Sequence, residues 1–162
     1  MYILGINAYH GDSSACVMRD GIIVAAIEEE RFRRIKHWAG FPSNSIRFCL
    51  KEVGITLDEL DYITISRDPK ANFLNKIMYL CTKGFSFKNT FNRIVNLNKI
   101  RSLEYQFMQE FEVDNIKSIR KKIKNIEHHR SHISSAFFAS DFNDSAILSV
   151  DGFGDFTSTM TA

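Results

Sequence analysis

Short apolar segments alternate with turn signals over the first 28 residues. Each of three segments has the length of a β-strand, and the connections between them are too short to hold a helix. We therefore predict an antiparallel three-stranded meander, with Asp20–Gly21 as a two-residue hairpin turn. The predicted strands are residues 2–7, 14–19 and 22–28.

Helical spacing follows the meander. Apolar residues recur on one face of residues 43–53, where Ser43 or Asn44 can cap the helix and Gly54 can end it. The apolar segment 62–66 (YITIS) predicts a fourth strand. Because a helix intervenes, this strand is expected to lie parallel to the first.

Residues 67–124 are basic and helical in tendency. We interpret them as a helical insertion or cap on an α/β core. The basic excess is typical of a solvated face, although a wall that attracts an anionic substrate is the alternative. The phenylalanines have core spacing, which argues against binding of single-stranded nucleic acid. Three helices are predicted from the spacing of three apolar sets: Phe73, Ile77 and Leu80; Leu103, Phe107 and Phe111; and Ile116, Ile119 and Ile123.

Composition places the chain among ordinary globular proteins. Of its 162 residues 44% are apolar and 25% are charged, so it can bury a core, and a net charge of +2 does not indicate a polyanion partner. The three cysteines do not form a disulfide or zinc pattern, which favours reduced thiols and a cytoplasmic location. Apolar runs are too short to span a membrane.

Candidate chemistry is concentrated between Glu127 and Asp155. His128 and His132 are four residues apart, and a helix that begins one turn before Ser131 puts both imidazoles on one face. Such a pair can bind a divalent metal, whereas His129 points elsewhere. An apolar strand at residues 145–150 then delivers Asp151 as a further ligand.

The sequence DGFGD follows that strand. Its acidic residue suits a hard cation, and the bare backbone at Gly152 and Gly154 lets phosphate approach the N–H groups. Alone, the histidine pair is more typical of a solvated helix surface, and DGFGD of a tight turn. Joined by a strand of suitable length, the two motifs favour a metal-phosphate site.

Two further segments form a predicted second wall. In the turn after the first strand, Asp12 and the hydroxyl of Ser13 can hold a metal-bound phosphate, and His10 can bind an anion or act as acid or base. Lys36 can neutralise a phosphate. The alternatives are a plain hairpin turn and solvated charge, and Glu28 to Glu30 are expected to pair with nearby arginines.

This order of elements describes the actin-like or sugar-kinase-like ATPase fold, which is ribonuclease H-like. In that α/β fold each half begins with a hairpin whose turn contacts nucleotide phosphates. We therefore expect residues 1–144 to form the first half, with the insertion at 67–124, and residues 145–162 to begin a second half.

Four motifs, in this order, resemble the O-carbamoyltransferase family, whose members act in nodulation and on antibiotics. The motifs are GINAYHGDSSA, AAIEEERFRRIKHWAGFP, EHHRSHISSAFFASDF and AILSVDGFGD. The resemblance implies a domain similar to the threonylcarbamoyl-adenosine synthesis protein. It implies that carbamoyl phosphate and ATP yield carbamoyl adenylate, whose carbamoyl group passes to an acceptor hydroxyl.

The resemblance also assigns roles to residues. It implies that His128, His132 and Asp151 bind iron(II) or another divalent ion, with Mg²⁺ serving ATP. His10 and Lys36 match residues that hold carbamoyl phosphate. Asp12, Gly152 and Gly154 match family positions that contact nucleotide phosphates. We add Ser13 to this predicted set because its hydroxyl lies in the same turn as Asp12.

The family is several hundred residues long, so we expect the chain to be the N-terminal part of a larger enzyme and to lack transferase activity alone. No serine or cysteine nucleophile with a paired base is evident, which favours direct displacement. A phosphate-transferring ATPase of the same fold and a non-catalytic nucleotide-binding module are the alternatives. The hydroxyl acceptor is not identified, and a homodimer is left open.

Overall fold

The computed structural model describes the fold of most of the chain, namely residues 1–9, 11–72, 74, 78, 103–113 and 115–162. The structure is mixed α/β, which confirms the predicted class at that level. It contains two compact units: residues 1–65 with 101–124, and residues 66–100 with 125–162. The predicted division at residue 144 and the predicted insertion stay predictions.

The sheet of the first unit contains the predicted meander. Strands β1 (Tyr2–Asn7), β2 (Ser14–Arg19) and β3 (Ile22–Glu28) have the predicted bounds, and each pairs antiparallel with the next. Asp20–Gly21 forms the hairpin turn with positive φ at both residues, as a tight two-residue loop requires. Strand β4 (Tyr62–Ile65) lies parallel to β1, as predicted.

Most helices of the first unit lie where the spacing of apolar residues predicted them. A short helix α1 occupies the charged segment after β3, and a 3₁₀ turn precedes β4. The bounds are α1 Glu30–Arg33, α2 Ser43–Val53, the 3₁₀ turn Leu57–Glu59, α3 Leu103–Phe111 and α4 Ile116–Lys122. The helix predicted from Phe73, Ile77 and Leu80 lies outside the described residues.

A fifth strand was not predicted. The prediction that Ile123 extends the last helix is wrong, because α4 ends at Lys122 and Ile123–Asn125 forms β5. The strand order is β3-β2-β1-β4-β5, so backbone pairing next to β4 outweighs the helical spacing of one isoleucine.

The core of the first unit lies between this sheet and its helices. In β1 the alternate residues Leu4 and Ile6 are buried, as expected of a strand with one face inward. Phe107 of α3 and Ile119 of α4 are fully buried in the same core, so residues 103–124 are part of it. Phe41 contacts Phe107 edge-on, with ring centroids 5.1 Å apart.

A buried carboxylate fixes the start of α2. Glu29 is fully buried; it accepts hydrogen bonds from the Ser45 N–H and hydroxyl, both at 2.9 Å, and from Asn44 Nδ2 and Arg33 Nε, both at 2.8 Å. The predicted cap by Ser43 or Asn44 is therefore wrong, since Ser43 lies in the first turn and Glu29 takes that role. The predicted pairing with arginine is confirmed for Glu28 and Glu29, whereas Glu30 accepts the backbone N–H of His37.

These contacts give Glu29 a defined pH dependence. Burial opposes its ionisation, but the hydrogen bonds from Ser45, Arg33 and Asn44 outweigh that effect and hold the pKa of Glu29 below its ordinary value of 4.5. A carboxyl whose pKa is lower in the folded state stabilises the fold above its unfolded pKa. That stabilisation is lost as pH falls through the folded pKa.

Glu29→Gln is expected to lower the free energy of unfolding at pH 7 by about 2 kcal/mol, since several charge-assisted hydrogen bonds become neutral. The same variant should lose part of the acid-induced fall in stability below pH 4.5. Urea unfolding followed by circular dichroism at several pH values measures both effects. Glu28→Gln is the matched control, because the Glu28 side chain is about half exposed and its contact with Arg31 is 3.9 Å long. Equal effects of the two substitutions would contradict the capping role.

The second unit contains a helix and a hairpin. Helix α5 spans His128–Phe138, and β6 (Leu148–Gly154) pairs antiparallel with β7 (Thr157–Thr161). The predicted strand bounds 145–150 are wrong: β6 begins later and continues through both glycines. The turn lies at Asp155–Phe156, where both residues have positive φ. Among the helices described, none is long and apolar enough to cross a membrane.

Candidate metal centre

Helix α5 presents two imidazoles on one face. His128 and His132 are one turn apart, their ring centroids are separated by 4.6 Å, and their Nε2 atoms lie 3.0 Å apart. Residues four apart on a helix are neighbours on its surface, so the local geometry follows from the spacing.

A β-bulge directs the acidic residue to the same place. The β6–β7 register shifts between Val150 and Gly154, so that residues 151–153 face Ser158 alone. Bulges commonly re-aim a side chain next to a functional site. Here Oδ2 of Asp151 lies 2.6 Å from Nε2 of His128 and 3.5 Å from Nε2 of His132. The structure therefore brings together the three predicted metal ligands, although Asp151 lies within the strand and not at its end.

The three atoms have the spacing of a metal-ligand face. Their separations of 2.6, 3.0 and 3.5 Å define a triangle with a circumradius of about 1.8 Å. A divalent ion with bonds of about 2.0–2.2 Å could therefore contact all three atoms at once. One side of the ion would then remain open for further ligands. Two imidazole nitrogens and one carboxylate oxygen are suitable donors for iron(II), zinc or manganese.

Hydrogen bonding alone accommodates this arrangement only if one N–H of His128 is shared between Asp151 Oδ2 and His132 Nε2. Nε2 of His128 has either one proton or one lone pair, yet it lies within hydrogen-bond distance of both Asp151 Oδ2 and His132 Nε2. If both imidazoles donate toward the carboxylate, their two N–H groups face each other at 3.0 Å. A cation resolves this conflict because each nitrogen then offers it a lone pair.

Electrostatics keep the carboxylate ionised. The hydrogen bond with His128, and then the Gly152 N–H at 2.6 Å, hold the pKa of Asp151 below its ordinary value of 3.8. Partial burial opposes this shift and is outweighed. Asp151 can therefore offer a negatively charged ligand at neutral pH.

The two glycines of β6 have different surroundings. A Cβ atom at Gly154 would overlap the ring of His128, so the imidazole packs directly on bare backbone. A Cβ at Gly152 would meet no described atom within 4 Å. Gly154 is thus required for the position of His128, and Gly152 leaves open space beside Asp151. Their predicted contacts with nucleotide phosphate stay predictions.

A second acidic residue fixes the start of α5. Oδ2 of Asp155 accepts the backbone N–H of His128 at 2.8 Å and that of Asp68 at 2.7 Å. Asn72 donates to the Asp155 carbonyl at 3.0 Å. Asp155 therefore joins the helix, the hairpin turn and the segment at residues 68–72. No role was predicted for Asp155 from the sequence, although the second aspartate of DGFGD was the available signal.

The triad is accessible. His132 and Asp151 are half exposed, whereas the His128 side chain is largely covered. A cavity of about 200 Å³ adjoins His132. Its other lining residues are Ile133, Ala136, Ile147, Leu148, Ser149 and Val150. A small ligand group therefore has room next to the imidazole of His132.

Asp12, Ser13 and Lys36 of the predicted second wall lie in the first unit. Backbone bonds from Tyr9 to Gly40 and from Ser13 to Trp38 join the turn after β1 to the loop that carries Lys36. The hydroxyl of Ser13 is buried and bonds both polar backbone atoms of Gly40.

The structure thus brings the two predicted segments together. The hydroxyl of Ser13 serves the junction between them, and its role in nucleotide binding stays a prediction. His10 lies outside the described residues, and the roles of His10 and Lys36 also stay predictions.

Asp12 has a partner that the sequence analysis missed. Its Oδ1 lies 2.8 Å from Nδ1 of His37, next to Lys36. Asp12 and, to a smaller extent, Glu30 and Glu28 raise the pKa of His37 above its ordinary value of 6.5. The imidazole beside Lys36 offered a signal, but its distance of 25 residues from Asp12 concealed the pairing. A second basic group therefore lies in the predicted anion-binding segment.

Comparison with known proteins identifies the family. The model of the family described as "Carbamoyltransferase N-terminus" matches residues 2–161. The chain belongs to this family. The family resemblance of the four motifs is thereby confirmed.

Three relatives show how much of a longer chain is matched. The uncharacterized protein sll1178 of Synechocystis sp. is 38% identical over 98% of this chain and 26% of its own. Nodulation protein NolNO of Sinorhizobium fredii is 35% identical over 96% of this chain and 22% of its own. The uncharacterized protein MJ1051 of Methanocaldococcus jannaschii is 30% identical over 94% of this chain and 22% of its own. The chain spans about a quarter of the length of these relatives.

Proposed function

We propose that this carbamoyltransferase segment holds one divalent cation on His128, His132 and Asp151, as part of an enzyme that transfers a carbamoyl group to a hydroxyl. The convergence of three ligand atoms within 3.5 Å is the observation that carries the proposal. Further ligands are expected from other parts of the enzyme, because three donors on one face leave coordination positions open.

An ion held by these residues, for which we favour iron(II), would supply Lewis-acid polarisation of a carbonyl or phosphoryl oxygen. The chain's own residues position it. His128 is fixed by Gly154 and by the bond of its backbone to Asp155, while Asp151 is aimed by the bulge. This preorganisation limits the reorganisation needed when charge develops on the reacting oxygen.

The anionic substrates require compensating charge. We propose that Lys36 and His10 hold carbamoyl phosphate, and that Asp12, Ser13, Gly152 and Gly154 belong to the surroundings of Mg²⁺ and ATP. The exposed His37–Asp12 pair and Lys36 supply charged groups in the first unit, and the space at Gly152 permits an oxygen to approach the backbone. Positively charged groups offset the repulsion between two phosphorylated substrates.

The proposed reaction has two stages. Carbamoyl phosphate, ATP and one water give carbamoyl adenylate, phosphate and pyrophosphate. The acceptor oxygen then forms a bond to the carbamoyl carbon, the bond to AMP breaks, and the hydroxyl proton is released. The acceptor offers a free hydroxyl, and the enzyme acts in the cytoplasm.

We also propose that the chain has the actin-like ATPase fold. An antiparallel meander, a helix, a strand parallel to β1 and a later hairpin that carries DGFGD are the features that support it. On this proposal the β6–β7 hairpin begins the second half of the fold.

The formation of carbamoyl adenylate is tested with the full-length enzyme that contains this chain. The enzyme is incubated with ¹⁴C-labelled carbamoyl phosphate, ATP, Mg²⁺ and iron(II). We expect pyrophosphate release that depends on carbamoyl phosphate and yields labelled carbamoyl adenylate. The His128→Ala/His132→Ala variant should lose this product, and the 162-residue chain should not make it alone. Transfer of the γ-phosphate that survives the double substitution would instead establish a kinase of the same fold.

A further inference from the structure

A third imidazole of α5 lies inside the second unit. His129 is fully buried, with Nδ1 at 2.8 Å from Ser149 Oγ and Nε2 at 3.1 Å from the carbonyl oxygen of Thr157. A carbonyl oxygen only accepts hydrogen bonds, so Nε2 donates to it. In the neutral ring, Nδ1 then accepts from the Ser149 hydroxyl. Both nitrogens are thus used within the protein.

The two bonds of His129 end on different strands. Ser149 belongs to β6 and Thr157 to β7, so one side chain joins α5 to both strands of the hairpin. Ser149 is buried while Leu148 and Val150 are exposed, which places Ser149 on the helix side of β6. The link to β6 is therefore two residues from Asp151 in the chain.

We propose that His129 is a positioning residue for the metal triad. Through Ser149 it fixes α5 at the distance from β6 that lets His128 and His132 meet Asp151. This inference rests on the proposed metal role of the triad. Partners that orient metal ligands are commonly worth 10–100-fold in affinity, so the effect is expected at about that scale. A purely structural histidine would change stability and leave the geometry of the bound ion unchanged.

Two substitutions separate the bonds of His129. In His129→Asn the side-chain oxygen reaches about as far as Nδ1, so the bond with Ser149 can be kept while that with Thr157 is lost. In His129→Gln the amide reaches about as far as Nε2 and keeps only the bond with Thr157. Ser149→Ala removes the same bond to β6 from the other side. Ser158→Ala, at an exposed serine of the same hairpin, is the matched control.

Titration of the purified chain with Co²⁺ measures affinity, and the visible absorption of the bound ion reports its coordination. We expect His129→Asn and Ser158→Ala to keep the wild-type spectrum and a Kd within about threefold of wild type, because the link to β6 remains. His129→Gln and Ser149→Ala should weaken binding by about 10–100-fold and alter the spectrum. Thermal unfolding followed by circular dichroism identifies a temperature at which all variants are folded, and the titrations are made at that temperature.

Two results would overturn the inference while leaving the proposed metal site intact. One is wild-type affinity and spectrum in every folded variant. The other is an equal or smaller loss for His129→Gln than for His129→Asn. If the His129 variants do not fold, Ser149→Ala decides between the same outcomes. A wild-type chain that binds no Co²⁺ refutes the proposed site and the inference with it.

Discussion

Replacing His128 with alanine is expected to weaken divalent-metal binding by more than about 100-fold, since loss of a direct ligand exceeds the usual effect of its supporting partners. His128 lies close to both other ligand atoms and is the least exposed of the three residues. Its removal leaves a two-ligand site on a solvent-accessible surface. Isothermal titration with Co²⁺ or iron(II) under anaerobic conditions measures the change.

His132→Ala and Asp151→Asn test the other two proposed ligands of the same site. His132→Ala should weaken binding to a similar degree, and Asp151→Asn should do so while retaining side-chain shape. Because the three residues act on one ion, the effects should be far from additive in a double variant. His37→Ala is the control, since it removes an exposed imidazole in the other unit. Equal losses of metal affinity for His37→Ala and His128→Ala would show that the titration measures binding to histidines scattered over the protein and not to the proposed site.

Gly154→Ala is expected to weaken metal binding by about 100-fold or more, although it changes no ligand. The added methyl group would occupy the position of the His128 ring. The ring must then move, and a displacement of about 1 Å is enough to disrupt a preorganised site. The same titration measures this effect.

Gly152→Ala is the matched control for metal affinity, because its methyl group enters space free of described neighbours. It should bind the ion about as well as the wild-type chain. Circular dichroism must show that both variants are folded. If Gly154→Ala retained wild-type affinity, His128 could not depend on bare backbone at that position. A similar loss in both glycine variants would indicate a general disturbance of β6.

The first four strands could be predicted because their local signals agree. Apolar residues, short connections and Asp20–Gly21 all favour the same meander, and the helix between β3 and β4 favours the parallel pairing of β4 with β1. Strand β5 could not be predicted in this way. Its sequence IKN is short and largely polar, and its partner β4 lies about 60 residues earlier in the chain.

The convergence of the site was only partly visible in the sequence. Helical spacing predicts that His128 and His132 share a face, and the strand that follows brings Asp151 near them. The bulge was missed because glycines suggested a turn, whereas Gly154 provides space for an imidazole. The turn instead uses Asp155–Phe156 at positive φ, a conformation that Asp tolerates but that Phe does not favour.

The partners that support the site are equally hard to predict. Ser149 interrupts the apolar run AILSV, and a buried hydroxyl requires a hydrogen-bond partner. That signal indicated an inward polar contact but did not identify His129. Likewise, the EEE segment suggested pairing with arginine, but the capping of α2 by Glu29 depends on how the loop returns to the sheet.

Crystallography of the chain with iron(II), using anomalous scattering at the iron edge, tests the proposed site most directly. One anomalous peak is predicted about 2.0–2.2 Å from Nε2 of His128, Nε2 of His132 and Oδ2 of Asp151. Well-ordered side chains at the triad without such a peak, under conditions in which iron binds elsewhere or not at all, would contradict it.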